Sequence, residues 1–331
     1  MSGVSQQRVK RDEDGMRLDR WFRARYPQVT QGRLQKMLRK GEIRLDGGRV
    51  KADQRIAAGQ TVRVPPLGES APQPAKKDRE TGVSEADAKA VRAMVIYRDA
   101  EVIVLNKPAG LAVQGGKRVG RHVDGMLPAL IFDAEEPPRL VHRLDKDTSG
   151  VLVLARTRQA AQWLTRAFRD RDTEKTYWAI TVGVPRPKAG EIDLRLSKEG
   201  GPKGERVEPV PEGGQRAITQ YTVVDEAGTR AAWLAMRPVT GRTHQLRVHA
   251  AAIGCPMVGD GKYGGEKAHP GGFANTLHLH ARRIVLARPD GRKLDVTAEP
   301  PKNFRDGLEL LGFDANDPEA VIDWAELAEE Q

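Results

Sequence analysis

Asp145 lies in the charge-dense stretch LVHRLDKDTSG, Leu140 to Gly150, and is the first residue whose surroundings suggest chemistry. An apolar approach, Leu140 and Val141, leads into a polar loop that feeds the run Val151 to Leu154. A loop set against a rigid strand can hold a catalytic side chain, because the strand fixes the backbone while polar groups in the loop stay solvated or hydrogen-bonded. Arg143 and Lys146 favour the ionised form of Asp145 wherever they approach it, which would give a carboxylate poised as nucleophile or base. A loop Asp between two cations also makes an ordinary surface ion pair or turn cap. Residue types alone leave both readings open.

Two further stretches carry reactive groups. Glu174 to Ile180, EKTYWAI, reads as a strand start in which Tyr177, by residue type, is a core aromatic. Thr240 to Asp260, TGRTHQLRVHAAAIGCPMVGD, places Leu246, His249, Ala250 and Ile253 on one apolar line, which predicts a helix from about Thr243 with Gly254 at its end. His249 lies in that line and reads as a satisfied core histidine, whereas Arg247 lies outside it and can point toward a catalytic face. Arg242 is placed for a phosphate, or else is a solvated surface arginine. The histidines do not fall at HxxxH or HExxH spacing, and the turn at Gly259 to Gly265 lacks phosphate-loop spacing, so neither a metal nor a cofactor is expected.

The elements that must position these groups are legible from periodicity. Leu18, Trp21 and Phe22 form a helical stripe that Pro27 ends, and Thr30 caps a second helix with Leu34, Met37 and Leu38 on one side and Gly41 as its stop. Arg33, Lys36, Arg39 and Lys40 fall on the opposite side. Short strands at Glu42–Leu45 and Thr61–Val64 complete a small α/β module over 16–65. Residues 66–90, rich in Pro, Gly, Ser and charge, read as a linker. A larger α+β domain follows over 91–300: strands at Met94–Tyr97, Val102–Asn106, Val151–Ala155, Arg216–Val224, Ala231–Met236 and Leu277–Leu286, with a helix at Gln159–Arg169, predict a mixed, mostly antiparallel sheet with flanking helices. Residues 184–215 read as a surface hairpin and loop offering Lys198, Lys203 and Arg206, and 301–331 as an acidic C-terminal tail with a short helix.

Composition narrows the partners. The 331 residues carry a formal charge of +10, with 16 basic against 7 acidic residues before position 66 and 2 against 9 after position 300. A basic front and body point to a polyanion. Cys255 is the single cysteine, which excludes an internal disulfide or a multi-cysteine zinc site. There is no apolar run of membrane-spanning length and no signal-peptide centre, so a cytoplasmic protein without membrane contact is expected, and it is taken to be a monomer.

The loop HRLDKDTSG resembles the active-site loop of the RluA, RluC and RluD type pseudouridine synthases, in which the Asp of HRLD is the essential carboxylate, here Asp145. KxYxA resembles the position whose Tyr stacks on the target base, here Tyr177, and xHQLRVH the motif whose Arg pairs with the catalytic Asp, here Arg247. NKPAG with LAVQGG is similar to an early motif beneath the site, with Lys107 as a support residue. RLDRWF, GRLQKMLRKGEIRLDGGRVK and GQTVRVPP resemble the RNA-binding module named after ribosomal protein S-four, in which the second helix and following loop touch RNA backbone.

That resemblance, in family order from 16 to 300, implies a catalytic domain of pseudouridine synthase type, an S-four-like front module, and isomerisation of specific uridines in structured RNA. A base within paired RNA must be flipped out to react, and Arg143 is suited to fill or hold the vacated space. Asp145 then acts on sugar or base as nucleophile, or as a base that starts glycal formation. The GG of AVQGG and the front module are most similar to the RluC branch, which implies 23S ribosomal RNA or a large-subunit precursor, although Gln114 stands where the branch has His. Two alternatives are a noncatalytic RNA-binding ribosome-assembly factor and a metal-dependent hydrolase or nuclease.

Overall fold

The computed structural model describes residues 3–67, 83–116, 120–170, 173–201 and 204–329. The chain divides into two units, Met1–Thr81 and Gly82–Gln331.

In the front unit, β1 (Ser5–Arg8), α1 (Leu18–Arg25), α2 (Gln31–Lys40), β2 (Arg44–Leu45), β3 (Gly48–Arg49) and β4 (Thr61–Val64) follow in order, and the strands form an antiparallel sheet β1-β4-β2-β3. Helix α2 is bounded as its sequence dictates. The Thr30 hydroxyl accepts from the Arg33 amide, and Gly41 closes the helix at φ +69°, a conformation glycine adopts without Cβ strain. Leu18, Trp21, Phe22, Leu34, Met37 and Leu38 meet the sheet residues Val62 and Val64 in one core. Lys36, Arg39 and Lys40 are exposed and Arg33 is half-buried, so the cations lie on the face of α2 away from that core. The expected strand at Glu42–Leu45 shortens to β2, and β1 adds a strand before the module's expected start at 16.

The second unit opens on α3 (Glu85–Ala93), capped by Ser84. Residues 85–90 of the expected linker are therefore helical, held by Val91 in the core, while 68–82 of that linker lie outside the described residues. Then come β5 (Val95–Arg98), β6 (Val102–Lys107), α4 (Val123–Met126), β7 (Arg139–Leu140), β8 (Ser149–Ala155), α5 (Arg158–Asp170), β9 (Thr173–Val182), β10 (Ala189–Gly201), β11 (Gly204–Pro209), β12 (Gln215–Ala227), β13 (Ala231–Pro238), α6 (Gln245–Ala252), β14 (Leu279–Ala287), β15 (Lys293–Thr297), α7 (Lys302–Leu311) and α8 (Trp324–Glu329). One mixed sheet runs β11-β10-β12-β13-β9-β14-β8-β6-β5, with β15 paired to β14 and β7 to β8. Only β14 and β8 are parallel among the described pairs. The stretch read as hairpin and loop is the hairpin β10–β11, and its long first strand joins the sheet through β12. Lys203 lies outside the described residues.

Side-chain alternation along β9 divides the two faces. Tyr177 and Ala179, with Leu279 of the neighbouring β14, pack against Leu246 and Ala250 of α6. Trp178 and Ile180 face the other way, onto Phe304, Leu308, Phe313 and Trp324. The acidic tail is thus a packed layer of the domain, and the Trp324 indole N–H donates to Thr176 Oγ1 at 2.9 Å.

Candidate active site

The loop carrying Asp145 is held from three sides. His142 Nε2 accepts from the Val153 amide at 2.8 Å, and its ring stacks on Phe168 at 4.2 Å. Burial, with Lys175 nearby, depresses the His142 pKa to about 3, so the ring is a neutral acceptor. Lys107, fully buried at the end of β6, donates from Nζ to the carbonyls of Pro108 and Leu111 at 2.9 Å and of Lys146 at 3.1 Å. The last carbonyl directly follows Asp145 in the chain. Burial brings the Lys107 pKa down to about 8, partly opposed by the charges of Asp147 and Asp145. The Gly110 amide also donates to the Lys146 carbonyl, at 2.9 Å.

The TSG that ends the loop has its own reasons. Ser149 Oγ and His280 Nδ1 are 2.9 Å apart, and His280 Nε2 lies 2.9 Å from the Ala298 carbonyl. The ring must donate from Nε2 to that carbonyl, so Nδ1 accepts from the serine hydroxyl. Gly150 pairs with Ala281 across the parallel strands at φ +106°, where an added Cβ would stand 2.2 Å from the Ala281 carbonyl oxygen. Only glycine fits, and this close approach sets Asp145 beside the end of β14.

Asp145, with its side chain 21 % exposed, opens into a cavity of about 330 Å³. Arg143, Lys175, Tyr177, Arg242, His244 and Arg247 also line it. Asp145, Tyr177, Arg247, Arg143 and Arg242, five positions singled out from the sequence, therefore share one cleft. Arg33, Lys36, Arg39 and Lys40 belong to the front unit. Tyr177 is held in its protonated form, by burial first and by the Asp145 charge second. Arg143 is exposed at the cleft, and Arg242 Nε donates to the Arg216 carbonyl at 3.2 Å.

Arg247 is in the cleft but does not pair with Asp145 as the sequence reading expects. Its Nε and Nη2 donate to the two oxygens of Asp260 at 2.8 and 2.6 Å. The reason is burial. Asp260 is 1 % exposed, and a buried carboxylate requires a counter-charge. Burial opposes the charged guanidinium, but the hydrogen bonds and charge of Asp260, with a contribution from Asp145, raise the Arg247 pKa above its ordinary value. His249 is buried as expected but not satisfied, since neither ring nitrogen has a hydrogen-bond partner.

The HQ of THQLRVH has a separate structural task. The Gln245 side chain donates to the Ile218 carbonyl and Thr219 Oγ1, and accepts from Thr240 Oγ1 and the Arg242 amide, which ties the loop before α6 to β12. His244 precedes the helix at φ +54°, and this left-handed turn starts α6 at Gln245 rather than at Thr243. Its Nε2 lies 3.9 Å from Asp145 Oδ2, and its Nδ1 lies 2.7 Å from the Tyr263 hydroxyl. Sequence reasoning passed over His244, Asp260 and Tyr263. The adjacency of His244 to Arg247 in one motif, and of Asp260 to Tyr263 in a glycine-rich turn, was the available signal. Among the described residues no group of three His, Cys, Asp or Glu side chains is placed to hold a metal ion, and no helix is long and apolar enough to cross a membrane.

Residues 101–252, which contain Asp145, Tyr177 and Arg247, match the family model described as RNA pseudouridylate synthase. The chain belongs to the RNA pseudouridine synthase family and is an isomerase of that class. It is 34 % identical over 295 residues to the ribosomal large subunit pseudouridine synthase C of Rickettsia felis, covering 88 % of this chain and 95 % of that one. It is 34 % identical over 310 residues to the Escherichia coli K12 protein of the same name, covering 92 % and 95 %. Among solved structures it is similar to human RNA pseudouridylate synthase domain containing 4, with a TM-score of 0.58 and 33 % identity over 69 % of this chain and 96 % of that one.

Proposed function

We propose that this enzyme converts specific uridines of large-subunit ribosomal RNA to pseudouridine, with Asp145 as the reacting carboxylate. The observation that carries the reading is the placement of Asp145. It is partly exposed to a cleft large enough for a flipped pyrimidine, beside Tyr177, on a loop clamped by Lys107 and His142. The large-subunit substrate is supported by similarity along nearly the whole chain to enzymes named for that RNA.

The reaction breaks the bond from ribose C1′ to uracil N1 and forms one from C1′ to C5. C5 loses a proton and N1 gains one, so no electron acceptor or donor is consumed. Asp145 starts the exchange as nucleophile or base while the base turns in the cleft. The Tyr177 ring, kept neutral, offers a stacking face. Arg143 and Arg242, which line the same cleft, hold the vacated stack and a phosphate in this reading. In the front unit Arg33, Lys36, Arg39 and Lys40 line one face of α2, and that S-four-like module supplies contacts to the RNA backbone. The work is done where ribosomes are assembled, in the cytoplasm, by a monomer.

The test is pseudouridine mapping of ribosomal RNA from cells that lack the gene, complemented by wild type or by Asp145→Asn. Sites lost in the deletion return with wild type and not with the variant. If Asp145→Asn restored them at wild-type rate, Asp145 would not be the reacting group. If no large-subunit site changed, the substrate assignment would be wrong.

A further inference from the structure

His244, Tyr263 and Val207 come from three separate parts of the chain and meet behind Asp145. The Tyr263 oxygen accepts from the Val207 amide of β11 at 3.2 Å and lies 2.7 Å from His244 Nδ1. The phenol has one proton to give. With Val207 already donating to the oxygen, that proton is the one that makes the 2.7 Å contact to His244, where Nδ1 is the acceptor it meets; were Nδ1 itself protonated, the phenol oxygen would take two donors and its own proton would have to turn to solvent. Nδ1 therefore accepts, and the proton of the neutral ring is on Nε2. Burial keeps the ring in this neutral form, against the opposing pull of Asp145. The Nε2 end faces Asp145 Oδ2 at 3.9 Å.

Tyr263 is itself fixed. Its amide donates to Asp260 Oδ1 at 3.2 Å, and the Arg247 guanidinium lies 5.2 Å from the centre of its ring. A flip of the His244 ring would take Nδ1 away from the phenol, so the same hydrogen bond holds the orientation of the ring as well as its tautomer.

We propose that Tyr263 sets His244 in the Nε2–H tautomer, and that this N–H positions the Asp145 carboxylate for reaction. Shortening the gap by about 1 Å gives an ordinary N–H···O hydrogen bond. It engages one carboxylate oxygen and leaves the other to the substrate. His244 is then a positioning residue, and hairpin β10–β11 reaches the reacting group through Val207 and Tyr263. The inference rests on Asp145 being the reacting carboxylate.

The experiment has two arms on the full-length protein. In the first, ¹⁵N-histidine NMR near neutral pH, with His244 assigned by its loss in His244→Gln, reads the tautomer without turnover. The expected result is a protonated Nε2 and a bare Nδ1 in wild type, with that preference lost in Tyr263→Phe; a protonated Nδ1 in wild type overturns the proposal. In the second arm, turnover is measured on an unmodified large-subunit ribosomal RNA transcript. Tyr263→Phe is expected to lower kcat about tenfold with KM unchanged, the size of one lost orienting hydrogen bond. His244→Gln, whose amide nitrogen can stand near the position of Nε2, is expected to retain more kcat than His244→Asn, and the pair Tyr263→Phe, His244→Gln to be no slower than its slower member. Unchanged kcat in Tyr263→Phe, or a change confined to KM, would refute the positioning role. If Asp145→Asn kept full activity, Asp145 would not be the reacting group and the positioning role would fall with it, while the tautomer measurement stood.

Discussion

Replacing Asp260 with Asn separates two accounts of Arg247. In the structure the guanidinium is 8 % exposed, the carboxylate 1 %, and two charge-assisted hydrogen bonds of 2.8 and 2.6 Å join them. Asn keeps the shape and one acceptor oxygen, but it removes the counter-charge and leaves a buried cation facing an amide. Breaking a buried pair from one side costs about 3–5 kcal/mol, and the retained oxygen puts this change near the lower figure, roughly a hundredfold in the folding equilibrium. Removing both charges, as Arg247→Met with Asp260→Leu, takes away the unpaired cation as well and should recover at least half of the loss. The assay is urea unfolding followed by tryptophan fluorescence, because four of the five tryptophans, Trp163, Trp178, Trp233 and Trp324, lie in the second unit. If Arg247 instead took Asp145 as its partner, Asp145→Asn would carry the large destabilisation and Asp260→Asn a small one. A loss below about 1 kcal/mol for Asp260→Asn, the range of exposed pairs, would refute the assignment of the counter-ion.

Acid should destabilise the second unit from a pH well above the carboxylate range. Burial holds the pKa of His142 at about 3 and those of His249 and His280 at about 4, against 6.5 when unfolded. The unfolded chain therefore binds protons below pH 6.5 that the folded one refuses until pH 3–4. The stability these neutral rings contribute is complete above 6.5 and is lost as pH falls through that window, at up to about 1.4 kcal/mol per pH unit for each. Unfolding monitored between pH 6.5 and 5 should show proton uptake that drops by about one proton in His142→Gln; uptake near zero in wild type would contradict the burial argument. In the front unit, changing Lys36, Arg39 and Lys40 together to Gln should weaken RNA binding and flatten the plot of log affinity against log salt by about 2–3, with kcat at saturating RNA unchanged. An unaltered salt slope would place the RNA elsewhere.

The parts of the fold legible in the sequence are those written in local chemistry. Thr30 and Gly41 fix both ends of α2 because a hydroxyl cap and a left-handed glycine act within one turn. The strand expected at Val151–Ala155 is found within β8 because an unbroken apolar run suits a strand whose residues are all buried. The illegible parts depend on what packs against what. In β9 both faces are apolar, Tyr177 and Ala179 on one side and Trp178 and Ile180 on the other, so alternation could not say which side holds the cleft. That is decided by the tail, whose Phe304, Leu308 and Trp324 claim the tryptophan face. Reading 301–331 by its charge conceals this, because Asp306, Glu309, Asp314, Asp323 and Glu326 are exposed while a few apolar residues do the packing.

The same division runs through the site. Asp145 on the loop before β8, Tyr177 within β9 and Arg247 on α6 line one cleft, and a resemblance in motif order carries that information. The pairing within the cleft is another matter. Asp260 takes Arg247 because it is the more deeply buried carboxylate, 1 % exposed against 21 % for Asp145, and burial is a property of the fold, not of spacing along the chain. His244 was hidden for a related reason: a residue read as the second of a helix is instead held at φ +54° before it, which turns its ring toward Asp145. With Arg247 committed to Asp260, the group facing Asp145 is a neutral histidine whose donor nitrogen is chosen by a tyrosine. Arg247 then acts on Asp145 through its charge while its hydrogen bonds go to Asp260, and the Asp145 carboxylate opens into the cleft.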